Sequence, residues 1–439
     1  MNQRQDVPPM MENSSLNQTF NTLSIEETKR ELSFYIDQLY HWLEANGWEG
    51  WDPYDVWDTP FPMWARSGRD IPRRGISYLI SKTNDRFPNL LRKLFGAHKQ
   101  INAKAMGLFA ASFLELEQLE GKPRLINGEP AYQPCFRWLD ANRVAYNDGI
   151  GWGYPFDWQS RIFIPKKTPT VVNSAIIGDA YWHRYRYHND ASALHICEQI
   201  CQFFVHGLNR SKKGKDGSFC FSYTPLDHFQ VHNANLFGAE FLVRIGRETN
   251  REEWLQTGLD ATRFSLNEIR EDGTLNYWSN EQSFEGPQQD TYHSGFEIRA
   301  LDGIAQATKR APYREACDRY FACWRKDFFM PSGHPCFARA NQKIVEVHSL
   351  AESLLCTSQM VGSGSIAPTD FLNQMTPLIQ KSMPLLWSKS GPNAGYFASS
   401  VTLNNGKKMD IPFIRWGEAW MLRGLIASLS ATNRLTSSY

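Results

Sequence analysis

The chain has 439 residues, 42% of them hydrophobic, with a formal net charge of +1. That is ample for a large core, and it points to no nucleic-acid or membrane-surface partner. No apolar run approaches the roughly 18 residues that span a bilayer, and the start has no charged segment leading into an apolar one, so neither a transmembrane segment nor a signal peptide is expected and the chain reads as cytoplasmic.

Residues 1–22 are polar, with Pro8, Pro9, Asn13, Ser14 and Ser15, and read as a disordered segment ahead of a single domain over 23–439. The first helix starts at Ser24, where Ser24 and Glu27 form a capping box. It carries Leu32, Tyr35, Ile36, Leu39, Trp42 and Leu43 on one stripe and stops at Asn46-Gly47. Paired helical segments follow. The outer set is expected at about 75–95, 131–145, 189–207, 250–270, 311–328 and 367–386. The inner set is expected at about 101–118, 168–187, 231–246, 290–308, 345–360 and 411–430. Small residues crowd the inner set, as in Ala105-Met106-Gly107-Leu108-Phe109-Ala110-Ala111, and they let helices approach closely.

Four inner segments open on an apolar or aromatic residue followed by a large polar one: Val231-His232-Asn233, Tyr292-His293-Ser294, Val347-His348-Ser349 and Ile414-Arg415-Trp416. The polar positions 232, 293, 348 and 415 lie 61, 55 and 67 apart, and helix starts at Asn102 and Thr170 fit the same beat. A period of roughly 60 without fixed sequence indicates one supersecondary unit repeated six times. Glycine-bearing turns, such as those at Gly149, Gly217, Gly273, Gly333 and Gly395, each precede a short aromatic strand just upstream of an inner helix. The expected fold is therefore all-α, an (α/α)6 toroid with short β-hairpin-like loops on one rim, where the polar cues converge.

The densest stretch is Gly151-Trp152-Gly153-Tyr154-Pro155-Phe156-Asp157-Trp158-Gln159-Ser160-Arg161. Trp152, Tyr154 and Trp158 have the flat faces that suit sugar rings, and Asp157 is a candidate acid, base or hydroxyl clamp. The alternative is an aromatic plug with Asp157 and Arg161 as a structural ion pair. Tyr223, Asp227, His232 and Asn233 form a second group. The helix dipole favours a neutral imidazole at a helix start, which makes His232 a candidate base. Asp290, Tyr292 and His293 form a third, with Asp290 as N-cap. Catalysis is assigned to Asp157, His232, Asp290, Tyr292 and His293. Substrate binding is assigned to Trp152, Tyr154, Trp158, Arg161, Tyr223, Asp227, Asn233, His348, Tyr396, Arg415 and Trp416. Arg415 suits a two-pronged carboxylate contact, or else pairs with Glu418.

The eight cysteines are scattered without a CxxC pair and read as free buried thiols. Phosphate-loop, dinucleotide, HExxH, DDxxD and GxSxG motifs are absent. No metal or cofactor is implied.

The 151–161 stretch, Phe219-Cys220-Phe221-Ser222-Tyr223-Thr224-Pro225-Leu226-Asp227, Val231-His232-Asn233-Ala234-Asn235-Leu236 and Arg415-Trp416-Gly417-Glu418-Ala419-Trp420 resemble a bacterial family found with surface-polysaccharide synthesis genes. Its members are often called hypothetical proteins or delta-aminolevulinic acid dehydratase, and these residues do not support the latter name. The family is similar in fold class to six-hairpin glycosidases, uronate lyases and glucuronyl C5-epimerases. The resemblance runs from about Asp52 to the C-terminus and implies a toroid in a glycan context, without assigning catalytic residues. The expected function is acid–base chemistry on an oligosaccharide or polysaccharide precursor, as a hydrolase, lyase or uronyl C5-epimerase. In the hydrolytic version Asp157 and Asp290 are the paired carboxylates. A non-catalytic glycan-binding or assembly protein is the competing class.

Overall fold

A computed structural model describes residues 22–68, 70–283, 289–389 and 394–436. The expected disordered start therefore lies, apart from Thr22, outside the described residues. The helices are α1 (Ile25–Asn46), α2 (Pro60–Ser67), α3 (Ile71–Arg86), α4 (Pro88–Phe95), α5 (Ala103–Glu120), α6 (Tyr132–Ala141), α7 (Val171–His188), α8 (Ala191–Gly207), α9 (His232–Glu248), α10 (Glu252–Asn267), α11 (Thr291–Thr308), α12 (Ala311–Asp327), α13 (Val347–Gly362), α14 (Pro368–Pro377), α15 (Met383–Leu386) and α16 (Ala419–Thr436). Wide π-helical turns precede α15 (Leu378–Ser382) and α16 (Ile414–Glu418).

Helices α5, α7, α9, α11, α13 and α16 pack in that order into an inner ring, and α16 closes back onto α5. Outside it, α6 covers α5, α8 covers α7, α10 covers α9, α12 covers α11, and α14 covers α13. The (α/α)6 toroid expected from the repeat is the observed fold. Inner helices meet at glycines. A Cβ on Gly107 would reach 3.0 Å from the Ile177 Cα, and one on Gly424 2.8 Å from the Ala351 carbonyl oxygen.

The sixth outer helix is α1, which lies on α16 and α14, and not the expected segment 75–95. The capping box of Ser24 and Glu27 is present, and Leu32, Ile36, Leu39 and Leu43 bury the apolar stripe. Segment 75–95 is broken at Phe87-Pro88, because proline removes a helical N–H and bars its predecessor from helical backbone; Phe87 has φ −135° and ψ 59°. Helices α2 to α4 instead form an excursion between α1 and α5, held by a small cluster of Val56, Ala65, Ile80 and Leu91.

Helices α7, α9, α11 and α13 pass to their outer partners through short connections, two of them turned by Asn189 and Lys309 in the left-handed region at φ 55° and 56°, and α5 reaches α6 through the hairpin of Leu125–Ile126 and Glu129–Pro130. The long returns all lie at the other rim, so every inner helix starts there. The glycine turns are on that rim, with Gly217, Gly273, Gly333 and Gly395 at φ +84°, +84°, +87° and +100°. Strands after them are shorter than expected. Gly149–Gly151 and Tyr396–Phe397 pair with neighbours, whereas Phe221 makes only an isolated bridge. The largest sheet has three antiparallel strands, Lys407–Met409, Ser400–Thr402 and Ile344–Glu346. All eight cysteines are free, and seven are buried. Among the described residues no helix is long and apolar enough to cross a membrane.

Candidate functional site

The inner helices begin after Asn102, Thr170, Val231, Asp290, Glu346 and Phe413. Four of these caps close the helix with a side-chain oxygen. Asn102 accepts from Lys104 N, Thr170 from Asn173 N, Asp290 from His293 N and Glu346 from Ser349 N. The second residue of each helix is Lys104, Val172, Asn233, Tyr292, His348 or Arg415, and all six line one cavity of ≈ 260 Å³. Side chains in a helix tilt toward its N-terminus, so in a closed ring the same position of each helix reaches the same central space. Free N–H groups of the first turns face that rim and favour negative charge.

The wall is aromatic. Tyr54, Phe156 and Tyr154 form a stack, with ring centroids 5.3 Å and 5.1 Å apart and planes within 16° and 11°. Trp158, Tyr223, Tyr277, His293, Phe296 and Trp416 complete it.

His348 is buried, and neither ring nitrogen has a hydrogen-bond partner among the described residues. Its ring stacks on Tyr292 at 4.4 Å and 9° and leans on Trp420 at 5.2 Å. Burial, then the Lys104 charge, pushes this imidazole well below its usual value. Tyr292 also contacts His293, with ring centroids 4.2 Å apart. Its Nδ1 is 2.6 Å from Asp290 Oδ2. That carboxylate fixes Nδ1 as the N–H and leaves the Nε2 lone pair for chemistry.

Lys104 is buried and forms no ion pair among the described residues. Burial, with Arg415 next, draws its ammonium well below the usual lysine value. Arg415 Nε and Nη2 donate to Asp52 Oδ2 and Oδ1 at 2.7 and 2.9 Å. This guanidinium is therefore engaged two-pronged by Asp52, and not by the Glu418 expected as the alternative partner. Glu418 instead accepts from Phe397 N at 3.2 Å. Trp416 Nε1 donates to Glu346 Oε1 at 2.7 Å, and burial raises the Glu346 carboxyl to about 7.

The cavity thus gathers Tyr154, Trp158, Tyr223, Asn233, Tyr292, His293, His348, Arg415 and Trp416 from the expected set, with Asp290 behind His293. Six others lie elsewhere. Trp152 is core; its Nε1 donates to Leu139 O and its ring stacks on Tyr181. Asp157 accepts from Lys166 N at 2.7 Å and shapes its loop. Arg161 does not pair with it; its guanidinium lies 3.6 Å from the Trp278 ring centroid. Asp227 accepts from Tyr223 N, Thr224 N, Thr224 Oγ1 and Phe229 N, which fixes the loop that presents Tyr223. His232 points outward, between Ser265 Oγ on α10 at 3.1 Å and Glu268 Oε2, just past the end of α10, at 3.0 Å. As first residue of its helix it is turned about 100° from the second. Tyr396 lines a separate recess with Trp42, Trp51 and Asp410.

Sequence reasoning missed Tyr54, Lys104, Val172, Tyr277 and Phe296, and it passed over Phe156 inside the 151–161 stretch. Lys104 had a signal: it is the lone charge in the small apolar run after the Asn102 helix start. Beside Asp290 a wider open groove of ≈ 550 Å³ is lined by Arg270, Gln289, Phe337, Ala338, Arg339 and Ala340.

No family profile matches the chain, and no curated protein matches it by sequence. Solved structures do match in fold. A sugar epimerase from a ruminal bacterium superposes with a TM-score of 0.60 at 12% identity, covering 93% of this chain and 99% of its own. The cellobiose 2-epimerase of Bacillus thermoamylovorans gives 0.59 at 11%, covering 92% and 98%. An unsaturated glucuronyl hydrolase from Streptococcus agalactiae gives 0.55 at 12%, covering 93% of each. At such identities the likeness establishes the shared (α/α)6 toroid.

Proposed function

We propose that this chain is a carbohydrate epimerase that moves a proton at a carbon next to a carboxylate, on a uronate-bearing glycan or glycan precursor of the cell surface. The observation that carries this reading is the pair of imidazoles, His293 and His348, both in contact with Tyr292 in one aromatic cavity. Epimerisation needs a base on one face of a carbon and a proton donor on the other.

His293 Nε2, backed by the Asp290 carboxylate, takes the C–H proton. The C–H electron pair moves into the carboxylate, giving an enediolate whose extra negative charge Lys104 and the helix N-termini stabilise. His348, neutral before substrate binds, takes a proton from solvent when the anionic substrate lies beside it and returns that proton to the opposite face, its low proton affinity making it a ready donor. In the reverse direction the two imidazoles exchange roles. Arg415, held by Asp52, positions the wall from beneath Tyr154, 5.2 Å from that ring centroid.

Hydrolysis by paired carboxylates has less support. Among the described residues the cavity lining contains no Asp or Glu, Asp157 is committed to its loop, and Asp290 is committed to His293. The epimerase names of two fold neighbours agree with proton transfer. The surface-glycan context rests on the sequence resemblance, and a cytoplasmic site of action is part of the same proposal.

Incubation with uronate-containing oligosaccharides in deuterated water tests the reaction. Deuterium at C5, with both C5 configurations present, is the expected result. An unsaturated product indicates a lyase and new reducing ends a hydrolase, either of which overturns the epimerase reading. Tight binding with none of these indicates a glycan-binding protein.

A further inference from the structure

We infer that the α2–α4 excursion is a docking surface for an anionic lipid bilayer, an inference independent of the proposed reaction. Of the thirteen large apolar residues that are exposed among the described residues, eight lie in this one segment. Ile71, Tyr78 and Leu79 on α3, at 84, 65 and 66% exposure, and Phe87, Leu90 and Leu94 beside and on α4 are the main ones. Their inward neighbours Ile80 and Leu91 satisfy the small internal cluster, so among the described residues the outward set is not part of a core.

Charge decides the occupant. Residues 60–99 contain nine Lys or Arg and two Asp, a net +7 in a chain whose total is +1. The remaining residues are therefore net acidic, and the basic character is local. Arg74, Lys82, Arg86, Lys93 and Lys99 are exposed among the apolar side chains. Lys82 and Arg86 sit over Tyr78 and Phe87 at 5.5 Å from the ring centroids. Helices with Trp, Phe and Leu on one side and Lys and Arg around them lie in the headgroup layer of acidic membranes. Two copies of this face carry like charge and repel each other. A nucleic-acid backbone gives the exposed leucines nothing to contact.

The position of the excursion adds a consequence. Tyr54 at its root lines the cavity, and Lys407 Nζ on the rim hairpin donates to Asp85 O of α3 at 2.9 Å. Docking through α3 and α4 brings the mouth-bearing rim to the lipid surface, where a lipid-linked or envelope glycan is found.

Cosedimentation of the full chain with vesicles tests this. Binding to phosphatidylcholine vesicles containing about one-third phosphatidylglycerol is expected, with at least about tenfold weaker binding to pure phosphatidylcholine and to anionic vesicles in high salt. The double variant Leu90→Ser/Leu94→Ser and the triple variant Arg74→Glu/Lys82→Glu/Lys93→Glu should each lose about tenfold or more while melting like the wild type. Equal sedimentation with neutral and anionic vesicles, or with neither, overturns the inference. So does a wild-type dimer in light scattering that the Leu90→Ser/Leu94→Ser variant converts to monomer, because a second copy then covers the face.

Discussion

His348 shows how one helical position makes a side chain either structural or chemical. It is the second residue of its helix and faces the cavity with neither nitrogen partnered among the described residues, whereas His232, first in its helix, spends both on Ser265 and Glu268. The two occur in nearly identical sequence settings, Val-His-Asn and Val-His-Ser. The difference is a rotation of about 100° per residue around the helix axis, and a repeat aligned by residue type instead of by cap position misplaces one of them. Replacing His348 by Asn is expected to lower kcat/KM by roughly 10²–10⁴-fold with unchanged circular dichroism. The same variant tests the electrostatics. Burial lowers this imidazole in the folded chain, so on acidification the unfolded chain takes up the proton first. The stabilisation is complete above the unfolded histidine value of about 6.5 and is lost as pH falls below it. Melts of His348→Asn should therefore decline less steeply below about pH 6.5 than those of the wild type.

At the level of elements, the Asp52–Arg415 pair joins the loop after α1 to the wide turn that opens α16. It is two-pronged and buried, and Arg415 also lies 5.0 Å from the Trp416 ring centroid. Removing one partner of such a pair leaves a charge in the interior. Asp52→Ala is expected to cost about 3–5 kcal/mol in urea unfolding, and the double variant Asp52→Leu/Arg415→Met should recover much of it. If Asp52→Ala unfolds at the wild-type urea concentration, the pair contributes nothing to stability. Arg415 was recognisable from the chain because it keeps the phase of the repeat. Asp52 was not, because its partner lies 363 residues away and carboxylates in an aromatic loop carry no local mark of which cation they meet. The caps at Asn102, Thr170 and Asp290 were readable, since Asn, Thr and Asp before an apolar run announce a helix start by the hydrogen bond that they make.

For the whole molecule, sixfold closure followed from the period and from the small residues of the inner set. The identity of the sixth outer helix did not. Two segments had apolar stripes, 25–46 and 75–95, and only packing against α16 distinguishes them; Pro88 was the one clue that the second is broken. Leu39 in α1 is buried and Leu90 in α4 is exposed. Leu39→Ala should lower stability by about 2–5 kcal/mol, and Leu90→Ala should stay within about 0.5 kcal/mol of wild type. The reverse order in thermal melts contradicts the assignment of α1 to the ring. Closure also explains why the cavity could be anticipated in outline but not in detail. The repeat brings six helix starts to one rim, while the long returns decide which aromatic rings cover them, and loops such as that at Asp157 are shaped by contacts with no sequence period.

The most direct test of the central account is a crystal structure with a glucuronate-bearing disaccharide. The account predicts the uronate ring in the cavity against His293 and His348, with its carboxylate within hydrogen-bonding distance of Lys104 Nζ. Sugar bound only along Arg270 and Arg339 in the outer groove, with none in the ring of second-position residues, would contradict it.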